Sequence, residues 1–171
     1  MASILNVDKI RANGSTTDGL TIDSSGRVLM PQLPCASVGL TTANTKDTSN
    51  PYTSTGTIIF DDVFLNQGSV YDTSNGRFTA PVAGVYELSV SLLQDDDGTV
   101  GALDIRFSKN GTDINEGSNP YSSNDTKYHT VSWVRLIDLS ANDYLTMRLV
   151  TGGLFINANS FYNVANFKLV G

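Results

Sequence analysis

The chain has 171 residues, the length of one ordinary domain with a short appendage, and can bury a core without help from a metal or a disulfide. Ser, Thr, Asn and Gly supply 66 of those residues and Asp outnumbers Glu by 15 to 2, a bias toward turns and strand ends that speaks against a helical bundle or an α/β enzyme. The net charge is −6, the 11 basic residues are scattered singly and apolar runs stop at three residues, so neither nucleic acid nor a membrane is an expected partner.

Residues 1–34 read as short β pieces: Ile4, Leu5, Val7 and Ile10, then Leu20 to Ile22, then Arg27 to Met30, the last two joined by Asp23 to Gly26. Pro31 and Pro34 end the segment, because proline cannot donate to a ladder and biases its predecessor toward extended geometry. These pieces hold too few apolar residues for a core, so an extended β arm over 1–34 that needs a partner is expected, with a separate domain over 35–171. The opening from Met1 to Ile10 carries neither the basic region nor the apolar region of a secretory leader.

From Tyr86 onward the pattern has period two, which puts alternate side chains on opposite faces of a strand. Tyr86, Leu88, Val90 and Leu92 share a face, as do Leu103, Ile105 and Phe107, then Leu145, Met147 and Leu149, then Ala165, Phe167 and Leu169. One wet and one dry face per strand is the pattern of antiparallel sheets packed as a sandwich. Asn110-Gly111 predicts a type I′ hairpin back onto a short strand near Ile114. Residues 121–151 lack Gly and Pro, yet Thr130 to Leu139 shows no helical stripe; two strands joined by Ser140 to Asp143 are expected.

Residues that could carry chemistry are few. The only histidine, His129, stands at a predicted strand start, and no Gly-X-Ser-X-Gly elbow occurs, so nucleophilic catalysis lacks a base beside a nucleophile. The single cysteine, Cys35, admits neither an intrachain disulfide nor a Cys-based zinc site and is expected as a small buried apolar residue. No phosphate loop is present, and no enzyme is expected. Asp95, Asp96 and Asp97 form the one dense charge run, a solvated turn with calcium as the rival interpretation; no other cofactor is implied.

Residues 58–86 hold Phe60, Asp61, Asn66, Gly68, Tyr71, Asp72, Gly76, Phe78, Pro81, Gly84 and Tyr86 at a spacing that strongly resembles the signature of the globular complement C1q domain, one of the tumour-necrosis-factor-like jelly rolls. Leu139 to Leu145 is similar to a later strand start of that family with Asn142 in place of Gly, and Asn166 to Gly171, with Phe167, is similar to its last strand. The resemblance implies an all-β antiparallel jelly-roll sandwich of about ten strands over 35–171, and a homotrimer. Tyr144, Phe155, Phe161 and Tyr162 exceed what a wet outer face carries and are expected at the trimer axis.

The collagen stalk of animal members is missing, and the segments Ile4 to Ile10 and Gly19 to Val28 resemble the N-terminal parts of bacteriophage tail-fibre and virion-surface proteins. Together the two resemblances imply a structural protein of a virion surface. Its trimeric head would be anchored to a capsid or tail protein through Ile4, Leu5, Val7, Ile10, Leu20, Ile22 and Val28. Capsid decoration is favoured, and a tail-fibre or adhesin tip recognising a host surface glycan is the alternative.

Overall fold

A computed structural model describes residues 7–16, 18–42, 52–53, 55–95, 102–114, 121–122 and 129–171. The chain folds as two compact units, Met1–Leu33 and Pro34–Gly171.

The N-terminal unit is built of short β pieces. Its described part holds three short antiparallel strands in the order β1 (Lys9–Ile10), β2 (Leu20–Ile22) and β3 (Val28–Leu29). Polar chemistry at the turns replaces a core. Asp23 Oδ1 accepts the N–H groups of Ser25 and Arg27, both at 2.9 Å, and its other oxygen takes Arg27 Nε at 2.7 Å. Lys9 pairs with Asp18 at 2.7 Å. Ile10, Ile22, Val28, Leu29 and Met30 are exposed, as the scarcity of apolar residues predicts.

The second unit is a sandwich. Its strands are β4 (Cys35–Gly39), β5 (Gly56–Thr57), β6 (Asp62–Gln67), β7 (Tyr71–Asp72), β8 (Arg77–Thr79), β9 (Gly84–Gln94), β10 (Ala102–Lys109), β11 (Thr112–Ile114), β12 (Tyr121–Ser122), β13 (His129–Leu139), β14 (Tyr144–Thr151) and β15 (Val164–Leu169). One sheet has the order β13-β9-β15-β4-β6. The other runs β11-β10-β14-β8-β7, with β12 beside β10 and β5 beside β14. The chain crosses between them repeatedly: β4 on the first, β5 on the second, β6 on the first, β7 and β8 on the second, β9 on the first, β10 to β12 on the second, β13 on the first, β14 on the second and β15 on the first. This back-and-forth crossing is a jelly roll. The period-two strands fall where the sequence predicts, and several two-residue segments raise the count to twelve among the described residues.

Four aromatics of the 58–86 signature and of the last strand bind the two sheets together. Phe78 of β8 stacks on Phe167 of β15 at 4.8 Å between ring centroids and meets Tyr86 of β9 edge-on at 5.6 Å. Tyr71 of β7 also packs on Phe167. All four are buried, and burying each such ring contributes about 1.5–3 kcal/mol. Their polar ends are matched: Tyr71 Oη accepts the Phe60 N–H, and Tyr86 Oη donates to the Val82 carbonyl. Burial foremost, aided by the charges of Asp61 and Asp72, holds the Tyr71 phenol protonated far above its ordinary range.

The remaining signature residues shape backbone. Asn66 uses its side-chain amide as a piece of strand, donating to the Tyr71 carbonyl at 2.8 Å and accepting the Tyr71 N–H at 3.0 Å. Pro81 is exposed in the connection from β8 to β9. At Gly84 a Cβ would stand 2.5 Å from the Gly171 carbonyl oxygen, which accepts the Val85 N–H. Asn110 and Gly111 take φ of 52° and 83°, as a type I′ hairpin requires, and Asn142, standing where the family has Gly, takes φ of 71°.

Candidate functional site

The five-stranded sheet turns one face to the core and the other outward. Strand registers lay the outward residues in rows from edge to edge. One row runs Val134 on β13, Ser89 on β9, Asn166 on β15, Ser37 on β4 and Leu65 on β6. Its centre is polar and small: Ser37 Oγ donates to Asn166 Oδ1 at 2.7 Å, and Asn166 Nδ2 donates to Ser89 Oγ at 3.3 Å. A neighbouring row holds Leu136, Glu87, Lys168, Cys35 and Gln67, with Lys168 and Glu87 paired at 3.0 Å.

The first row ends on apolar residues on both sides, and the second ends on Leu136 and Gln67. Val134 is 54% exposed and Leu136 63%. On the opposite edge Val63, Phe64 and Leu65 are all exposed. The register shifts at Phe64, so Val63 stands opposite the core residue Val38 and Leu65 opposite the outward Ser37; with both exposed, β6 has solvent on both faces. An exposed apolar edge strand is a site of association unless something covers it. The outward face therefore has a Ser/Asn centre with apolar residues exposed at both edges.

The four aromatics expected at an axis do not form one group. Phe155 and Tyr162 meet edge-to-face at 5.1 Å, and Phe161 beside Tyr162 is 77% exposed. They are held by Asn163, a fully buried amide that accepts the Leu93 N–H at 2.9 Å and donates to the Phe155 carbonyl at 2.6 Å. Tyr144 lies on β14 in the other sheet, with the Arg77 guanidinium 4.2 Å from its ring centroid.

The other predicted positions are distributed as follows. Cys35 is half-buried on the outward side of β4, because Ala36 and Val38 take the core positions; this corrects the expectation of a buried residue. His129 is half-buried at the start of β13, opposite Gln94. Asp95 is buried at the end of β9, whereas Asp96 and Asp97 lie outside the described residues. Among the described residues no group of three or more His, Cys, Asp or Glu is placed to hold a metal ion. Of the expected anchoring residues, Ile4 and Leu5 lie outside the described residues, Val7 and Leu20 are half-buried, and Ile10, Ile22 and Val28 are exposed. The apolar edge residues Val63, Phe64, Leu65, Val134 and Leu136 were not singled out from sequence. Their signal was there: apolar residues at both parities within one strand mark a strand buried on two faces.

The same architecture and residues recur in known proteins. The globular domain of zebrafish complement 1qA protein superposes with a TM-score of 0.60 at 17% identity, covering 81% of this chain and 98% of that one. Murine APRIL superposes with a TM-score of 0.59 at 11% identity, over 81% and 99%. Complement C1q tumor necrosis factor-related protein 3 of Mus musculus and that of Homo sapiens are each 30% identical over 119 residues, 66% of this chain. Those matches span 44% of the relatives' own length. The family model of the C1q domain matches residues 40–165, and the chain belongs to the C1q domain family.

Proposed function

We propose that the chain is a structural display protein: a homotrimeric C1q-like head whose N-terminal β unit attaches it to a larger particle. The observation that supports the trimer is the outward face of the five-stranded sheet, where small Ser and Asn side chains lie between exposed apolar residues at the edges, Leu136 and Leu65 among them. One copy's edge against the next copy's face is a heterologous contact, and such contacts close into a ring when the rotation divides the circle. Three is the number the family resemblance implies.

The particle is a bacteriophage virion, with the head exposed at its surface and capsid decoration preferred over a tail tip. Supporting this are the resemblance of residues 4–28 to virion-surface segments and the exposed apolar residues Ile10, Ile22, Val28, Leu29 and Met30 of the N-terminal unit. Short strands with bare edges can extend a partner's sheet by β-augmentation. Light scattering of the full chain at micromolar concentration tests the first half, and a monomer there overturns it. Deleting residues 2–30 tests the second: the truncated head should stay trimeric and be lost from purified particles, whereas continued incorporation removes the anchoring role.

A further inference from the structure

The sheet opposite the candidate interface carries a cleft of about 220 Å³ on its outward side. Arg77, Arg148, Tyr144, Ser108, Thr146 and Asn75 line it, and among the described residues no carboxylate does. Two cations thus face a small cavity on a chain whose net charge is −6. Ligand pockets for drug-sized molecules run from about 300 to 1,000 Å³, so this one suits a single ring.

Each group has a structural reason to be where it is. Arg77 lies over the Tyr144 ring, a cation–π contact that holds the guanidinium in place, and it makes no salt bridge among the described residues. Its strand partner Asp72 is already engaged by the Ser74 N–H and by Asn75 Nδ2. Arg148 is aimed by Asp113, Nη1 to Oδ1 at 2.7 Å, and Arg106 shares that carboxylate while pairing with Asp104. Ser108 and Thr146 face each other across β10 and β14.

Ser108 is the group the fold itself does not explain. The residue is fully buried, and its hydroxyl has no hydrogen-bond partner among the described residues. A buried hydroxyl without a partner is destabilising, and an apolar residue of similar size would serve packing better. A hydroxyl kept there at a cost, beside Thr146 and under two arginines, is what a ligand oxygen would complete. Because Ser108 is covered, a ligand oxygen reaches it only once part of the lining shifts.

We propose that this cleft binds one acidic sugar residue. The carboxylate meets the guanidinium groups of Arg77 and Arg148, a planar match that arginine makes better than lysine. The ring hydroxyls meet Ser108, Thr146 and Asn75, side chains that both donate and accept and so fit a polyol rather than a bare anion. The display role proposed above supplies only the setting, an acidic polysaccharide at a surface; the site needs neither trimer nor particle, because it lies on the opposite sheet.

The test is titration of the isotope-labelled full chain with D-glucuronate, D-glucose, acetate and inorganic phosphate, following backbone amide shifts. Glucuronate should give saturable shifts at Gly111, Thr146 and Ser108. Glucose and acetate should each bind weaker by about tenfold or more, the loss expected when a charged hydrogen bond or the polyol contacts are missing. Arg77→Gln should weaken glucuronate by a similar factor, and Asn75→Asp, which places a carboxylate in the lining, should weaken glucuronate more than glucose. Absence of a saturable glucuronate response overturns the proposal, as does equal binding of acetate or phosphate, which would mark an anion site only. Undiminished binding in both variants overturns it too. Light scattering on the same samples reads the oligomer separately, so failure of the trimer and failure of sugar binding are told apart.

Discussion

Asn110 and Asp143 join two turns that lie 33 residues apart in the chain, the Asn110 amide donating to Asp143 Oδ1 at 2.6 Å. Asp143 Oδ2 takes the Ser140 N–H at 2.8 Å and the Lys109 ammonium at 3.0 Å, while Asn110 Oδ1 accepts the Tyr144 N–H at 2.9 Å. The β10–β11 hairpin and the β13–β14 turn are thus one polar knot at the end of the sandwich.

That knot makes stability depend on acid. The Asn110 hydrogen bond first, then Lys109 and the Ser140 N–H, lower the Asp143 carboxyl from 3.8 to about 2. A carboxyl depressed by folding adds stability above its unfolded value, and that contribution disappears as pH falls from about 5 toward 2. Asp18, Asp23 and Asp72 are shifted in the same direction by their own partners. The melting temperature should therefore fall between pH 5 and pH 2. In Asp143→Asn the fall should be shallower but still present, as calorimetry at several pH values would show; an identical slope in the variant excludes Asp143 as a contributor.

Asn66 offers a sharper mutational contrast. Its amide satisfies both backbone groups of Tyr71, so Asn66→Ala leaves a donor and an acceptor without that partner. The expected loss is about 1–3 kcal/mol. For a chain of this size that lowers the melting temperature by roughly 2–4 °C per kcal/mol. Asn66→Asp keeps the acceptor for the Tyr71 N–H and sets one oxygen against the Tyr71 carbonyl, so it should be destabilised as well. Thermal melts of the three proteins in one buffer decide it.

Gly84 should tolerate no side chain. A Cβ there meets the Gly171 oxygen at 2.5 Å and Leu169 Cδ1 at 2.8 Å, and the first of these is backbone held by the Val85 N–H. Gly84→Ala should cost about 1–3 kcal/mol, as overpacking does. Gly171→Ala is the control, since nothing lies within 4 Å of a Cβ at that position. Denaturant midpoints that shift equally in the two variants remove steric crowding as the reason for Gly84.

Much of this fold was legible because its strands have one wet and one dry face. Tyr86 to Leu92 and Leu145 to Leu149 show the period directly, and Asn110-Gly111 names its own turn. The outward rows of the five-stranded sheet were not legible. They come from register: Ser37 and Asn166 touch across 129 residues of sequence, and no local pattern encodes that pairing. Tyr144 shows the same limit from the other side. Its aromatic character suggests an axis, and the Arg77 guanidinium over its ring, brought there by the β8–β14 pairing, has no signal in the local sequence. The unpartnered Ser108 hydroxyl is likewise invisible in sequence, where a serine on a strand reads as a wet-face residue.

Leu136 gives the most direct handle on assembly. It is 63% exposed on β13, so in an isolated subunit Leu136→Asp should change stability by no more than about 0.5 kcal/mol, as surface substitutions do. In the proposed trimer a neighbour would cover that position, and a carboxylate buried there without a partner is strongly unfavourable. The variant should therefore sediment as a monomer at concentrations where the unaltered chain is a trimer. Its melting temperature should also lose the concentration dependence that linked assembly imposes. Phe161→Asp probes the aromatic patch in the same way. If the patch lines the axis, that variant falls apart as well; if only Leu136→Asp dissociates, the contact runs through the sheet edges and Phe161 faces solvent in the assembled head.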